Sequence, residues 1–244
     1  MNSIPVVTKN ILIINILLFL ASLLVVRYGI DLDSYLGLHY FQSDSFNVAQ
    51  LITYMFMHGG FGHIFFNMFA VWMFGALLER TWGPQRYLSY YLICGIGAGL
   101  IQMGVAYLRI RSIERGLSPD LVSLVYNEGA GVLASHQNYT NLRMAELNIM
   151  INSTTIGASG AVFGILLGFG MLFPNERLFI FPLPLPIKAK YFVAGYALIE
   201  LYSGVVNNPG DNVAHFAHLG GMIFGLILIL YWRKKDRGHG YYYR

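Results

Sequence analysis

A succession of long apolar runs, broken by short charged turns, limits this chain more than any other feature does. Six runs, near residues 10–27, 61–79, 87–108, 158–173, 189–205 and 214–232, approach the roughly 20 helical residues needed to cross a hydrocarbon core of about 30 Å. Backbone inside lipid has no water to bond, so each run must satisfy its own N–H and C=O groups as a helix. Only 11% of the 244 residues are charged and 56% are hydrophobic, whereas soluble domains carry about 25% charged residues. The expected fold is all-α: one polytopic membrane domain over residues 1–244, with six transmembrane helices. Lys9 followed by 11–26 resembles a signal peptide, but no small-residue cleavage site follows. That run is therefore expected to persist as the first helix.

The net charge of +4 is a matter of orientation rather than of nucleic-acid binding. With a cytoplasmic N-terminus, the inner side collects Lys9, Arg80, Arg86, Arg177, Lys188, Lys190 and the basic tail 233–244. The outer side keeps Arg27, Arg109, Arg111, Arg115 and Arg143, offset by Asp31, Asp33, Asp44, Glu114, Asp120, Glu128 and Glu146. Both termini are thus expected inside, in agreement with an even number of spans. Residues 28–60 mix Tyr, Leu, Phe and His with acids, as an interfacial segment does. Residues 109–157 form an external insertion, expected to hold a short helix around 121–133. The single cysteine, Cys94, rules out a disulfide framework and is expected in the core.

Polar groups within a bilayer are costly, so those that persist mark function. In this topology the second, fourth and sixth helices all run inward from the outer face. His63 and Asn67 on the second, Ser159 on the fourth and His218 on the sixth therefore share a depth, and could meet in one cavity. Ser159 opens its helix, where a serine can simply be an N-cap. Gly160, Gly164 and Gly168 give that helix a small face, and Gly221 and Gly225 give the sixth another, which permits close approach. A short serine side chain could then reach an imidazole and act as a nucleophile, with His218 as general base. His215, one turn earlier, competes for the role of base. His63 and Asn67, spaced i, i+4, share a helix face and could donate to an oxyanion, worth about 2.7–4 kcal/mol per donor. Asn67 could equally bond two helices together. No aspartate presents itself as a third member, since Asp211 lies in the turn before the sixth helix, so a Ser–His dyad is the economical expectation.

Taken together, Gly157-Ala158-Ser159-Gly160, His218 with Gly221 and Gly225, and His63-Ile64-Phe65-Phe66-Asn67 followed by Glu79-Arg80 and Gly83 resemble the rhomboid family of intramembrane serine proteases. The resemblance covers roughly 48–108 and 154–232. It implies a bacterial-type six-helix bundle in the inner (cell) membrane and cleavage of transmembrane protein substrates near their outer ends. It further implies a Ser159 nucleophile, a His218 base, an oxyanion site of His63, Asn67 and the Ser159 amide, and no metal or nucleotide cofactor. Gln50-Leu51-Ile52-Thr53-Tyr54 stands where the family carries a Trp-Arg pair. Oligomeric state is not encoded in any of these motifs. Two other readings use the same residues. One is a transporter or proton-relay protein built on His58, His63, His215, His218 and Glu200, although no internal repeat accompanies them. The other is a catalytically inactive rhomboid-like adaptor. Metalloprotease chemistry is disfavoured because no H-E-x-x-H occurs, and His215 and His218 alone give zinc too few ligands.

Overall fold

Helix α1 (Val6–Val25) begins the bundle and turns outward-facing leucines such as Leu17 and Leu24, each 60% exposed, away from the protein. In water such a belt would be an open apolar patch; its natural solvent is lipid. The computed structural model describes residues 3–179, 185–206 and 214–238. Asp211 and the far end of the C-terminal tail fall outside them.

After α1, a one-turn helix α2 (Leu32–Leu36) is capped by Asp31, whose side chain accepts from the Asp33 N–H. Helix α3 (Gln50–Thr53) follows the loop between them. Gln50 organises that loop. It is buried, its Nε2 donates to the Tyr35 and Ser45 carbonyls, and its Oε1 accepts from the His39 and Asn47 N–H groups. One fully bonded amide thus anchors the segment where the Trp-Arg pair is missing.

Helices α4 (Phe61–Ala70) and α5 (Ala76–Trp82) are joined without a break by a π-helical stretch, Val71–Gly75. Gly83, at φ 81°, ends α5, and Pro84 opens α6 (Pro84–Glu114), the stop and start that glycine and proline favour. Buried Glu79 on α5 accepts from the Val7 N–H, the Thr8 N–H and the Thr8 hydroxyl at 2.7–2.9 Å. It thereby satisfies the N-terminal donors of α1, which have no intrahelical partners.

Helix α6 has 31 residues and is about 46 Å long, so its last turns project beyond a core of about 30 Å. The third run was expected to end near 108; it continues to Glu114. Beyond it the insertion holds two helices rather than one, α7 (Pro119–Ala134) and α8 (Leu142–Asn152). They close a small core of their own from Tyr40, Ile110, Val125, Met144, Leu147 and Ile151. An antiparallel bridge, Leu38 to Thr155, ties the insertion to the first loop.

Helix α9 (Ser159–Leu172) has 14 residues, about 21 Å, too short to cross the membrane unaided. Ten of those residues are buried, as suits a helix apolar on every side and enclosed by its neighbours. It is followed by a two-residue antiparallel pairing of β1 (Arg177–Leu178) with β2 (Ile187–Lys188), the only strand pair among the described residues. Helices α10 (Ala189–Val206) and α11 (His215–Gly238) complete the bundle. Among the described residues, four stretches are long and apolar enough to span by themselves: Val6–Tyr28, Phe61–Trp82, Pro84–Glu114 and His215–Asp236. Of the six expected runs, the fourth is the 14-residue α9, and the fifth is α10, a continuous 18-residue helix that carries Lys190 and Glu200.

Candidate active site

Small residues bring three helices together. A Cβ added to Gly164 would stand 2.7 Å from Cys94 Cβ of α6 and 3.1 Å from the Gly221 carbonyl oxygen of α11. A Cβ on Gly221 would strike the Gly160 carbonyl group. At these points backbone lies against backbone, which side chains larger than hydrogen forbid. Buried Cys94 is thus a small core residue at this junction. The Tyr90 hydroxyl fixes the arrangement by donating to the Gly164 carbonyl at 2.7 Å.

That contact sets Ser159 and His218 face to face, with Ser159 Oγ 2.8 Å from His218 Nε2. Ser159 is not an N-cap. The cap position falls on Ala158, no side chain caps the helix, and the hydroxyl is directed to the imidazole instead. The first-turn N–H groups of α9, starting at Ser159, are accordingly left without intrahelical acceptors. Phe163, one turn along α9, stacks flat on the His218 ring at 4.2 Å and 7° and holds its plane.

Behind His218 lies a carboxylate. Glu200 Oε2 of α10 is 2.8 Å from His218 Nδ1 and 2.6 Å from His215 Nδ1. Glu200 and His218 are both only 7% exposed, so neither could forgo such partners cheaply. His215, weighed above as a rival base, instead bonds the carboxylate, while His218 holds the hydroxyl. Glu200, expected to figure only in a proton pathway, stands in line with the Ser159–His218 pair. Its signal in the sequence was the lone glutamate of an apolar helix. Glu200, His215 and His218 hold ligand-type atoms within 4.8 Å of one another. The carboxylate oxygen is already shared by two short hydrogen bonds, and these account for the cluster.

His63 reaches the same place from α4. Gly157 has φ +127°, a conformation glycine adopts without strain, and a Cβ there would stand 2.7 Å from His63 Nε2 and 3.7 Å from Ser159 Oγ. The imidazole and the hydroxyl therefore flank one backbone position that only glycine fits. The Gly59 N–H donates to His63 Nδ1 at 3.4 Å, which leaves Nε2 to carry the ring proton on the Ser159 side. Buried His58 packs edge-on against His63, with centroids 4.9 Å apart. Asn67 is also buried, but its amide donates to the His63 carbonyl one turn back on its own helix. The structure thus brings His63 and Ser159 together at Gly157, with His218 bonded to the serine, whereas the hydrogen bond of Asn67 is local to α4. A hydroxyl bonded to a buried imidazole, with a second imidazole and a helix N-terminus beside it, is suited to nucleophilic attack on a carbonyl.

Residues 45–235 match the rhomboid domain family model. RHOMBOID-like protein 12, mitochondrial, of Arabidopsis thaliana is 29% identical over 190 residues, 77% of this chain and 46% of that protein. Rhomboid protein 1, mitochondrial, of Saccharomyces cerevisiae is 27% identical over 184 residues, 75% of this chain and 42% of that protein. Rhomboid protease AarA of Providencia stuartii is 30% identical over 178 residues, 71% of this chain and 52% of that protein. The chain spans about half the length of these curated relatives. The family match covers the end of the first loop, the helices that carry Ser159 and His218, and everything between them: this membrane-embedded chain belongs to the rhomboid family.

Proposed function

We propose that this protein is an intramembrane serine endopeptidase that cleaves transmembrane protein substrates near the outer face of the membrane. The observation that carries the reading is the 2.8 Å hydrogen bond between Ser159 Oγ and His218 Nε2, which is part-buried within the helix bundle. Ser159 attacks the scissile carbonyl carbon while its proton passes to His218 Nε2, and that proton is then given to the leaving amine. Water, deprotonated in turn by His218, hydrolyses the acyl-enzyme and regenerates the serine. His63 Nε2–H and the Ser159 amide are the donors aimed at the oxyanion, and Asn67 serves there only if its amide turns from the His63 carbonyl when substrate binds.

The lysine and arginine distribution supports cytoplasmic-side termini and hence a site in the opposite, outer half of the membrane. Purified protein in liposomes, supplied with a fluorogenic transmembrane peptide, tests the reading. Ser159→Ala and His218→Ala should each lower kcat by at least about a thousandfold, since residues acting as one unit fail together. Cleavage by either variant at the wild-type rate would refute it.

A further inference from the structure

Resting on that catalytic reading, we infer that Glu200 is a positioning residue that extends the Ser159–His218 pair into a three-membered hydrogen-bonded chain, with His215 clamping the carboxylate from its other side.

The geometry is collinear in function. Ser159 Oγ meets His218 Nε2 at 2.8 Å, and His218 Nδ1 meets Glu200 Oε2 at 2.8 Å. A carboxylate only accepts, so Nδ1 must be the protonated nitrogen and Nε2 must be left with its lone pair. That is the tautomer a general base needs; the other would present an N–H to the serine and could not take its proton. Once the proton has moved to Nε2, the imidazolium faces a carboxylate rather than apolar side chains. The same carboxylate oxygen also bonds His215 Nδ1 at 2.6 Å. This second donor restrains the rotation of Glu200, so the acceptor lies in the plane His218 requires. The Phe163 ring, 4.2 Å away, holds that plane from the opposite side. The Arg109 guanidinium donates to the Gly204 carbonyl at 2.9 Å, one turn beyond Glu200, and ties α10 to α6. Glu200 takes no proton in this scheme and never touches substrate.

The test compares wild type with Ser159→Ala, Glu200→Gln and Glu200→Asp on the fluorogenic peptide, with the thermal midpoint of each recorded. Glutamine preserves shape and burial but can offer an amide N–H to Nδ1, which reverses the tautomer. Loss of the correct tautomer in the serine protease triad costs about 10⁴ in kcat, so Glu200→Gln should lose at least about a hundredfold in kcat with KM changed less than about threefold. Glu200→Asp, which restores the charge, should recover part of that loss. The nitrogen-15 shifts of His218 in the unmodified protein give a reading that needs no variant: Nδ1 should be protonated at neutral pH. An Nε2-protonated ring, or Glu200→Gln with kcat within threefold of wild type, overturns the inference while an inactive Ser159→Ala leaves the protease reading standing. An active Ser159→Ala removes the protease reading itself.

Discussion

Gly221→Ala is the most informative single substitution outside the reacting groups, because its effect can be worked from the packing. The added methyl would fall on the Gly160 carbonyl, 2.7 Å from its carbon, where ordinary contact begins at 3.4 Å. Both obstructing atoms belong to helix backbone, so no side chain can rotate aside. Helices α9 and α11 must therefore part by at least about 0.7 Å. Ser159 lies one residue before the obstructed carbonyl and His218 three residues before the new methyl, so the same displacement acts on their bond. A hydrogen bond of 2.8 Å would lengthen to at least about 3.5 Å, at or beyond the limit of useful geometry. Overpacking of this kind costs about 1–3 kcal/mol of stability, and a misplacement of about 1 Å costs roughly a hundredfold in rate. Peptide cleavage by purified Gly221→Ala should fall by about that factor, together with a lower thermal midpoint. Gly104→Ala on α6, whose new methyl meets nothing within 4 Å, is the control and should match or slightly exceed wild-type stability. If Gly221→Ala keeps both the wild-type rate and the wild-type midpoint, the close backbone contact does not set the serine–histidine distance.

Glu79→Ala should strip α1 of three charge-assisted bonds, each worth about 1.5–3 kcal/mol, and lower the thermal midpoint while kcat at permissive temperature stays near wild type; an unchanged midpoint would contradict the anchoring role. His58, in the loop before α4, has its pKa pushed down to about 4, chiefly by burial and secondly by His63. The unfolded chain then takes up a proton that the native one refuses, so this contribution to stability is complete above about pH 6.5 and is lost as the pH falls towards 4. Replacing His58 with Phe should flatten the decline of the midpoint between pH 6.5 and 4, and equal declines in both proteins would count against it.

The pairing of Ser159 with His218 was legible in the sequence because its ingredients are local: a serine at the start of a glycine-faced helix, and a histidine three residues before a glycine on another. Glu200 was visible as an anomaly but not as a partner. Its meaning depends on the relative rotation of α10 and α11, which no periodicity in either helix specifies. Asn67 was placed on the His63 face of α4 as an oxyanion donor, yet an asparagine can always bond the carbonyl one turn back, and here it does. The bounds of α9 were legible too: the run at 158–173 comes within one residue of Ser159–Leu172 at each end, and Pro174 and Asn175 follow the Phe173 cap. The insertion resisted reading for a different reason. Its second helix starts from an Asn141 cap and packs around Asn148, which bonds Asn138 and Asn152, so polar residues fill positions that pattern analysis assigns to loops.

The carboxylate rides on α10 and the imidazoles on α11, so the seam between two helices is itself a working part. Sliding α10 by about 1 Å would carry Glu200 beyond bonding range of His218 while leaving the serine in place. Whatever pries that seam open would break the carboxylate–imidazole bond first and leave the Ser159–His218 contact, which crosses a different seam, in place.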